Sequence, residues 1–264
     1  MPRSIITLTT DFGLSDHFVG TMKGVILRLN SSAEIVDISH EVSSFDVTEA
    51  SFLLAQAYRY FPKKTVHAVV VDPGVGTSRR PILVEAAGQY FIAPDNGVLS
   101  MVYSREEPKL KVRHVTAEKY FLKPVSRTFH GRDIFAPVAA HLAKGATPAS
   151  FGKLVEDYLR KHFEKPVRSA RRGWTGSILK IDRFGNLITN YHVSEFGAVE
   201  TGPFELTVGL QYVTQIGRNY AEFGIGELFL IVGSSGYFEV SANQASAARI
   251  LGCAAGAPLE LRLL

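Results

Sequence analysis

Cysteine is almost missing from this chain: Cys253 stands alone among 264 residues, which excludes an internal disulfide and a cysteine-built metal site. It falls in the small-residue run 245–255, where a packed thiol is expected rather than a nucleophile. No apolar run approaches the roughly 20 residues that cross a bilayer, so no membrane partner is expected. The first residues lead into a strand and not into a signal peptide, and the expectation is a cytoplasmic protein. Internal repeats and low-complexity tracts are absent, which removes solenoid and disordered readings. Charge of one sign is also scarce: 29 Lys and Arg face 25 Asp and Glu, for a net +4 and a pI near 9.1. Such a balance permits a nucleic-acid partner without arguing for one. The densest basic cluster, Arg160, Lys161, Lys165, Arg168, Arg171 and Arg172, contains Pro166 and separates two differently patterned halves. It reads as a solvated linker over 161–172, and no nucleic acid is expected.

What is present is the composition of a folded protein, 46% hydrophobic and 20% charged, long enough for one large or two ordinary domains. Residues 1–160 alternate strand and helix. Ile5 to Thr9 is a short strand running into Thr10-Asp11-Phe12-Gly13-Leu14-Ser15-Asp16, and a helix from about His17 to Leu29 follows, with Phe18, Met22, Val25, Ile26 and Leu29 on one face. Asp16 reads as its N-cap; Asp11 has no such structural reason. Glu34 to Ile38 is a second strand, and Asp46 with Glu49 opens a capped helix to about Tyr60. His40, in the loop between them, has no further ligand at metal-binding spacing and is taken as structural. Phe45, alone in that polar loop, is either tucked under it or offered to a ligand as a stacking face.

The centre of the chain is Val69-Val70-Val71-Asp72-Pro73-Gly74-Val75-Gly76-Thr77-Ser78-Arg79-Arg80. Thr65 to Val71 reads as a strand buried on both faces, ending in a turn at Asp72. A carboxylate at the carboxyl end of such a strand faces the crevice where α/β sheets bind ligands. The plainer reading, an Asp capping its own turn, is set against two guanidiniums just beyond the glycines. Strands Pro81 to Glu85 and Tyr90 to Ala93 follow, so the glycine loop joins strand to strand, which argues against a dinucleotide or P-loop site. His130 precedes a helix from Ile134 to Leu142, where an exposed, titratable ring is expected. Past the linker, short strands at Gly176 to Asp182, Leu187 to Asn190, Phe204 to Val208, Leu228 to Val232, Gly236 to Ser241 and Leu259 to Leu263, with one helix from about Gln244, predict a smaller β-rich, barrel-like domain over 173–264. The fold class is thus an α/β N-terminal domain with a central, mostly parallel sheet, followed by that β-rich domain.

Taken in order, Thr9-Thr10-Asp11-Phe12-Gly13, Asp72-Pro73-Gly74-Val75-Gly76-Thr77, Ala93-Pro94-Asp95-Asn96-Gly97, Thr128-Phe129-His130-Gly131-Arg132-Asp133, Arg183-Phe184-Gly185-Asn186 and Ser234-Ser235-Gly236-Tyr237 resemble the S-adenosylmethionine hydroxide adenosyltransferase family, the water-using relatives of the fluorinating and chlorinating adenosyl enzymes. The resemblance spans nearly the whole chain. It implies hydrolysis of S-adenosylmethionine to adenosine and L-methionine, with no cofactor and no metal, in a homotrimer whose sites lie between subunits. It places the water-activating set on Asp72, Arg79 and His130, with Arg80 competing for the guanidinium role and the base left open between Asp72 and His130. Asp11 would hold the ribose hydroxyls, and Phe45 would lie over the sugar. Asp16, Asp182 and Ser234 would face the methionine portion. Phe184 would stack on adenine, and Asn186 would hydrogen-bond to it. The halogenating relatives lack the acid and imidazole matching Asp72 and His130 and carry an additional loop, so this chain's pattern favours water over halide. The alternatives are an S-adenosylmethionine-dependent methyltransferase, a non-catalytic adenosine or S-adenosylmethionine binder, and a metal-dependent hydrolase using His40, Asp72 and His130.

Overall fold

A computed structural model describes residues 4–161 and 165–264, and the chain divides into two units, Met1–His162 and Phe163–Leu264. The first unit runs β1 (Ile5–Thr10), α1 (Phe18–Leu29), β2 (Glu34–Ser39), α2 (Val47–Ala57), β3 (Val66–Val70), β4 (Pro81–Ala86), β5 (Gln89–Pro94), α3 (Ser100–Glu106), β6 (Lys111–His114) and α4 (Ala136–Ala143). Its six strands are ordered β2-β1-β3-β5-β4-β6. The first four are mutually parallel, while β4 pairs antiparallel with both β5 and β6. This is the expected mostly parallel sheet with helices, extended by the edge strand β6, whose Lys-Val-Arg-His sequence carries one apolar residue and no strand signal.

β3 is buried along its whole length, as its near-continuous apolar sequence requires of a central parallel strand. Alternation sends Val66, Ala68 and Val70 into one core with Ile6, Leu8, Met22 and Ile26, while Val69 and Val71 enter the other with Leu54 and Phe91. α1 buries Val19, Met22 and Ile26, spaced to lie on one helical face. Its N-cap is His17 without a side-chain bond, and Asp16 is exposed, which corrects the capping role expected for Asp16. Asp46 does cap α2, accepting from the Thr48 and Glu49 N–H groups. Glu49 reaches back to the Ser43 N–H at 2.8 Å instead of the cap residue itself.

In the second unit come β7 (Val167–Ala170), β8 (Gly173–Ile181), β9 (Leu187–His192), α5 (Val193–Phe196), α6 (Ala198–Thr201), β10 (Phe204–Val208), β11 (Gln211–Val213), β12 (Ile216–Gly217), β13 (Leu228–Val232), β14 (Tyr237–Ala242), α7 (Ala247–Leu251) and β15 (Pro258–Leu263). They form one nine-stranded sheet, β11-β10-β15-β8-β9-β14-β13-β12 with β7 against β8, antiparallel except at β12–β13. Of the stretch 161–172 read as a linker, residues 162–164 lie outside the described residues, and 167–170 form β7. One face of the sheet packs Ile178, Leu187, Leu206, Leu230, Val240 and Leu261 into a third core. No helix among the described residues is long and apolar enough to cross a membrane.

His67 sits on β3 with no exposed surface, its Nδ1 2.7 Å from Thr7 Oγ1 and its ring stacked on Phe91 at 4.9 Å. Burial pushes its pKa down to about 4, from 6.5 in the unfolded chain. The neutral ring is therefore favoured in the fold, and only the unfolded state gains a proton between those values. Stability contributed this way is complete above pH 6.5, is lost as pH falls toward 4, and totals roughly 3 kcal/mol. Urea midpoints measured across that window should show this slope in the wild type and lack it in His67→Gln.

Candidate active site

β3 delivers the chain to Val71 and Asp72, where the Val75 N–H bonds to the Asp72 carbonyl at 3.1 Å and closes the Asp-Pro-Gly turn. The Asp72 side chain does not cap that turn. Arg79 Nε lies 3.0 Å from Asp72 Oδ1, and Arg79 Nη2 donates to Asp72 Oδ2, giving a two-pronged ion pair with side chains only 9% and 5% exposed. The same Nη2 is 2.7 Å from His130 Nδ1. A guanidinium can only donate, so Nδ1 carries the lone pair and the ring's proton sits on Nε2. Burial first, then the Arg79 cation, holds the His130 pKa below its usual value. Arg79 also lies 5.3 Å from the centre of the Phe135 ring, a position in which the ring face attracts a cation.

Arg80 faces elsewhere. It engages Asp95 Oδ2 at 3.0 and 2.7 Å and Asp157 Oδ1 at 2.8 Å. The resemblance placed the guanidinium role on Arg79 with Arg80 competing for it; the geometry gives the contact with Asp72 and His130 to Arg79. His130 begins a wide π turn, Gly131–Phe135, ahead of α4. The helix expected from Ile134 therefore starts earlier and irregularly, as is frequent beside functional groups.

Asp72 and His130 line a hollow of about 260 Å³, together with Asp11, Phe45, Phe12 and Phe129. Asp11 Oδ2 accepts the Phe45 N–H at 2.9 Å, leaving Oδ1 open. Phe45 is 70% exposed and holds a left-handed φ of 69°, unusual for a bulky residue, with the Asp11 bond holding its main chain. Sequence reasoning missed the wall residues Phe12 and Phe129. Both stand inside the quoted motifs, and their burial against each other, centroids 6.0 Å apart, was the missing signal.

A second hollow, of about 680 Å³, belongs to the Phe163–Leu264 unit and is lined by Phe184, Asn186, Tyr220 and Arg249 among others. Phe184 is 78% exposed. Asp182 lines neither hollow. Its Oδ1 accepts the Phe184 and Asn186 N–H groups at 2.9 Å, and its Oδ2 accepts Asn186 Nδ2 at 2.8 Å, which shapes the loop that presents both. Burial, then the Asp182 charge, raises the Glu239 carboxyl to about 7. Ser234 and Asp16 are exposed and line neither hollow. His40 is outside both as well, its Nδ1 at 2.8 Å from Thr10 Oγ1 and its Nε2 at 3.0 Å from Asp37 Oδ1, so the trio posed for a metal-dependent hydrolase is not assembled. Among the described residues no group of three or more His, Cys, Asp or Glu is placed to hold a metal ion.

The acid and guanidinium at the two ends of one loop, and the imidazole ahead of α4, coincide with a match along both units. Residues 6–152 match the SAM hydroxide adenosyltransferase N-terminal domain, and residues 176–260 match its C-terminal domain. The chain belongs to the S-adenosylmethionine hydroxide adenosyltransferase family. It is 37% identical to an (R)-S-adenosyl-L-methionine hydrolase of Salinispora tropica, over 98% of each chain. To a fluorinase of Nocardia brasiliensis it is 28% identical, over 99% of this chain and 97% of that one. A solved structure from Thermotoga maritima, described as an uncharacterized conserved protein, superposes with a TM-score of 0.91 at 38% identity, covering 97% of this chain and 99% of that one.

In this member of the family the loop from Asp72 to Arg79 must hold its shape for the ion pair to form. Gly76 has φ +77°, and a Cβ there would lie 2.3 Å from the Arg127 carbonyl oxygen, whereas a Cβ on Gly74 meets nothing closer than 3.4 Å. Gly76→Ala should therefore lower stability by about 1–3 kcal/mol, and Gly74→Ala by much less. Thermal unfolding of the two variants side by side makes the comparison.

Proposed function

We propose that this protein hydrolyses S-adenosylmethionine to adenosine and L-methionine by in-line attack of water at C5′. The observation that carries the reading is that Asp72 and His130, which both line one hollow, are tied together behind it by Arg79. The Salinispora relative's name supports the same reaction, and the higher identity to that hydrolase than to the fluorinase supports water as nucleophile. A methyltransferase reading has less support, because the glycine loop joins β3 to β4 and starts no helix.

The sulfonium leaves as a neutral thioether when the C5′–S electron pair passes to sulfur, so no acid is needed at the leaving group. The demand falls on the nucleophile: one O–C5′ bond forms while water gives up a proton. The lone pair of His130 Nδ1 already faces Arg79, and each Asp72 oxygen keeps further acceptor capacity beside its bond to Arg79. Asp72 is accordingly the base, positioned proton transfer supplying roughly 10²–10⁴-fold. Arg79 stabilises the hydroxide as it forms, and His130 holds the guanidinium. Asp11 takes the ribose hydroxyls and Phe45 covers the sugar. Phe184 stacks on adenine, Asn186 hydrogen-bonds to it, and Asp16, Asp182 and Ser234 serve the methionine portion. The 260 Å³ hollow is below the roughly 300–1,000 Å³ of pockets that enclose drug-sized ligands, as befits a site for only part of the substrate. The reading extends to a cytoplasmic homotrimer with sites between subunits, an α/β domain over 1–160, a linker over 161–172 and a β-rich domain over 173–264. The substrate itself takes the place of a cofactor, and neither nucleic acid nor membrane is a partner.

Incubating the protein with S-adenosylmethionine in the presence of chloride should yield free adenosine and methionine without a methyl acceptor and without chlorinated nucleoside. Methyl transfer or tight adenosine binding without turnover would displace this reading. Asp72→Ala should lower turnover by 10²-fold or more, and His130→Ala should lower it less, the latter with adenosine affinity nearly unchanged in calorimetry. Phe184→Ala should instead weaken adenosine binding by roughly 1–3 kcal/mol, the worth of one base stacked on a ring.

A further inference from the structure

β3 and β4 are consecutive in sequence but not neighbours in the sheet, because β5 lies between them. The chain from Val71 to Arg80 therefore arches over the carboxyl end of β5, and the residues that leave β5 there, Asp95 and Asn96, meet both feet of the arch. Asn96 Nδ2 donates to the Val71 carbonyl at 2.9 Å, while its Oδ1 is fixed by the Val98 N–H at 3.2 Å. The Asp95 N–H donates to the Arg80 carbonyl at 2.8 Å. Asp95 Oδ2 receives Arg80 Nε and Nη2, and its Oδ1 receives the Leu159 N–H at 2.8 Å. The Asp95 side chain is 5% exposed, and neither residue lines the hollow.

We infer that Asp95 and Asn96 are positioning residues that set the Asp72–Arg79 geometry from beneath the arch. Val71 is the residue before Asp72, and Arg80 is the residue after Arg79, so each catalytic group hangs one residue from a pinned point. Drawing Arg80 down to Asp95 also leaves Arg79 directed at Asp72 and His130. The inference rests on the hydrolase reading, since its effect is on attack by the water that Asp72 and Arg79 address. In-line attack is sensitive to such placement: a shift of about 1 Å can cost about 10²-fold in rate.

The test is steady-state kinetics with S-adenosylmethionine and adenosine calorimetry on Asn96→Ala and on the isosteric Asp95→Asn. Both should lose about 10- to 100-fold in kcat, with KM, the adenosine Kd and the calorimetric binding stoichiometry all close to wild type; loss of folded protein would instead lower that stoichiometry in step with kcat. Arg80→Ala combined with Asp95→Asn should lose little more kcat than either alone. Asp157→Ala, which removes the 79%-exposed partner of Arg80, should stay within about twofold. Wild-type kcat in Asn96→Ala, or a loss confined to KM, overturns the inference; should that variant not fold, Asp95→Asn decides by the same criteria. A wild-type protein that forms no adenosine overturns the hydrolase reading itself, whereas an active wild type with unaffected variants overturns the brace alone.

Discussion

A single guanidinium, that of Arg79, joins two of the residues that line the α/β unit's hollow. Arg79 is nearly out of water, and a charge in that position is tolerated only when it is paired and hydrogen-bonded on all sides. Asp72 supplies the opposite charge with two parallel bonds, the strongest arrangement open to such a pair, and His130 receives what remains of Nη2. Each partner comes from a different part of the chain: the carboxyl end of β3, the far side of the glycine loop, and the entrance to α4. The parallel sheet makes that convergence possible, since β3 is buried on both faces and sends its carboxyl end to one edge of the layer.

The pieces of this arrangement differed in how far sequence could reveal them. β3 was legible because an apolar run with β-branched residues on a fixed alternation has one stable home, the middle of a covered sheet. The Asp46 cap was legible because its interaction is local. Arg79 and Arg80 are adjacent and chemically identical, and only the order β3-β5-β4, a long-range fact, determines that one meets Asp72 and the other Asp95. Asp16 misled for a related reason: a good capping residue at the right spacing lost to a chain path that puts His17 at the cap. Asp95 and Asn96 could be seen as a turn, yet nothing within a few residues of them indicates that the turn supports a loop beginning more than twenty residues earlier.

The second unit shows the same contrast. Alternating strands were readable in outline, although the very short β12 and the charged β7 carry too little apolar pattern to announce themselves. Phe184 and Asn186 were singled out from their motif, and the loop that presents them is shaped by Asp182, whose carboxylate accepts both of their main-chain N–H groups. Family membership is matched in both units.

The central claim is that Asp72 and Arg79 act on the oxygen that becomes the 5′-hydroxyl of adenosine. In a crystal structure of the adenosine complex that oxygen is the former water, so its position reads out the chemistry directly. The account predicts it at hydrogen-bond distance, about 2.6–3.2 Å, from an Asp72 carboxylate oxygen, with the Arg79 guanidinium beside it. Adenosine bound with its 5′-hydroxyl turned away from Asp72, and Arg79 still paired but remote, would contradict it.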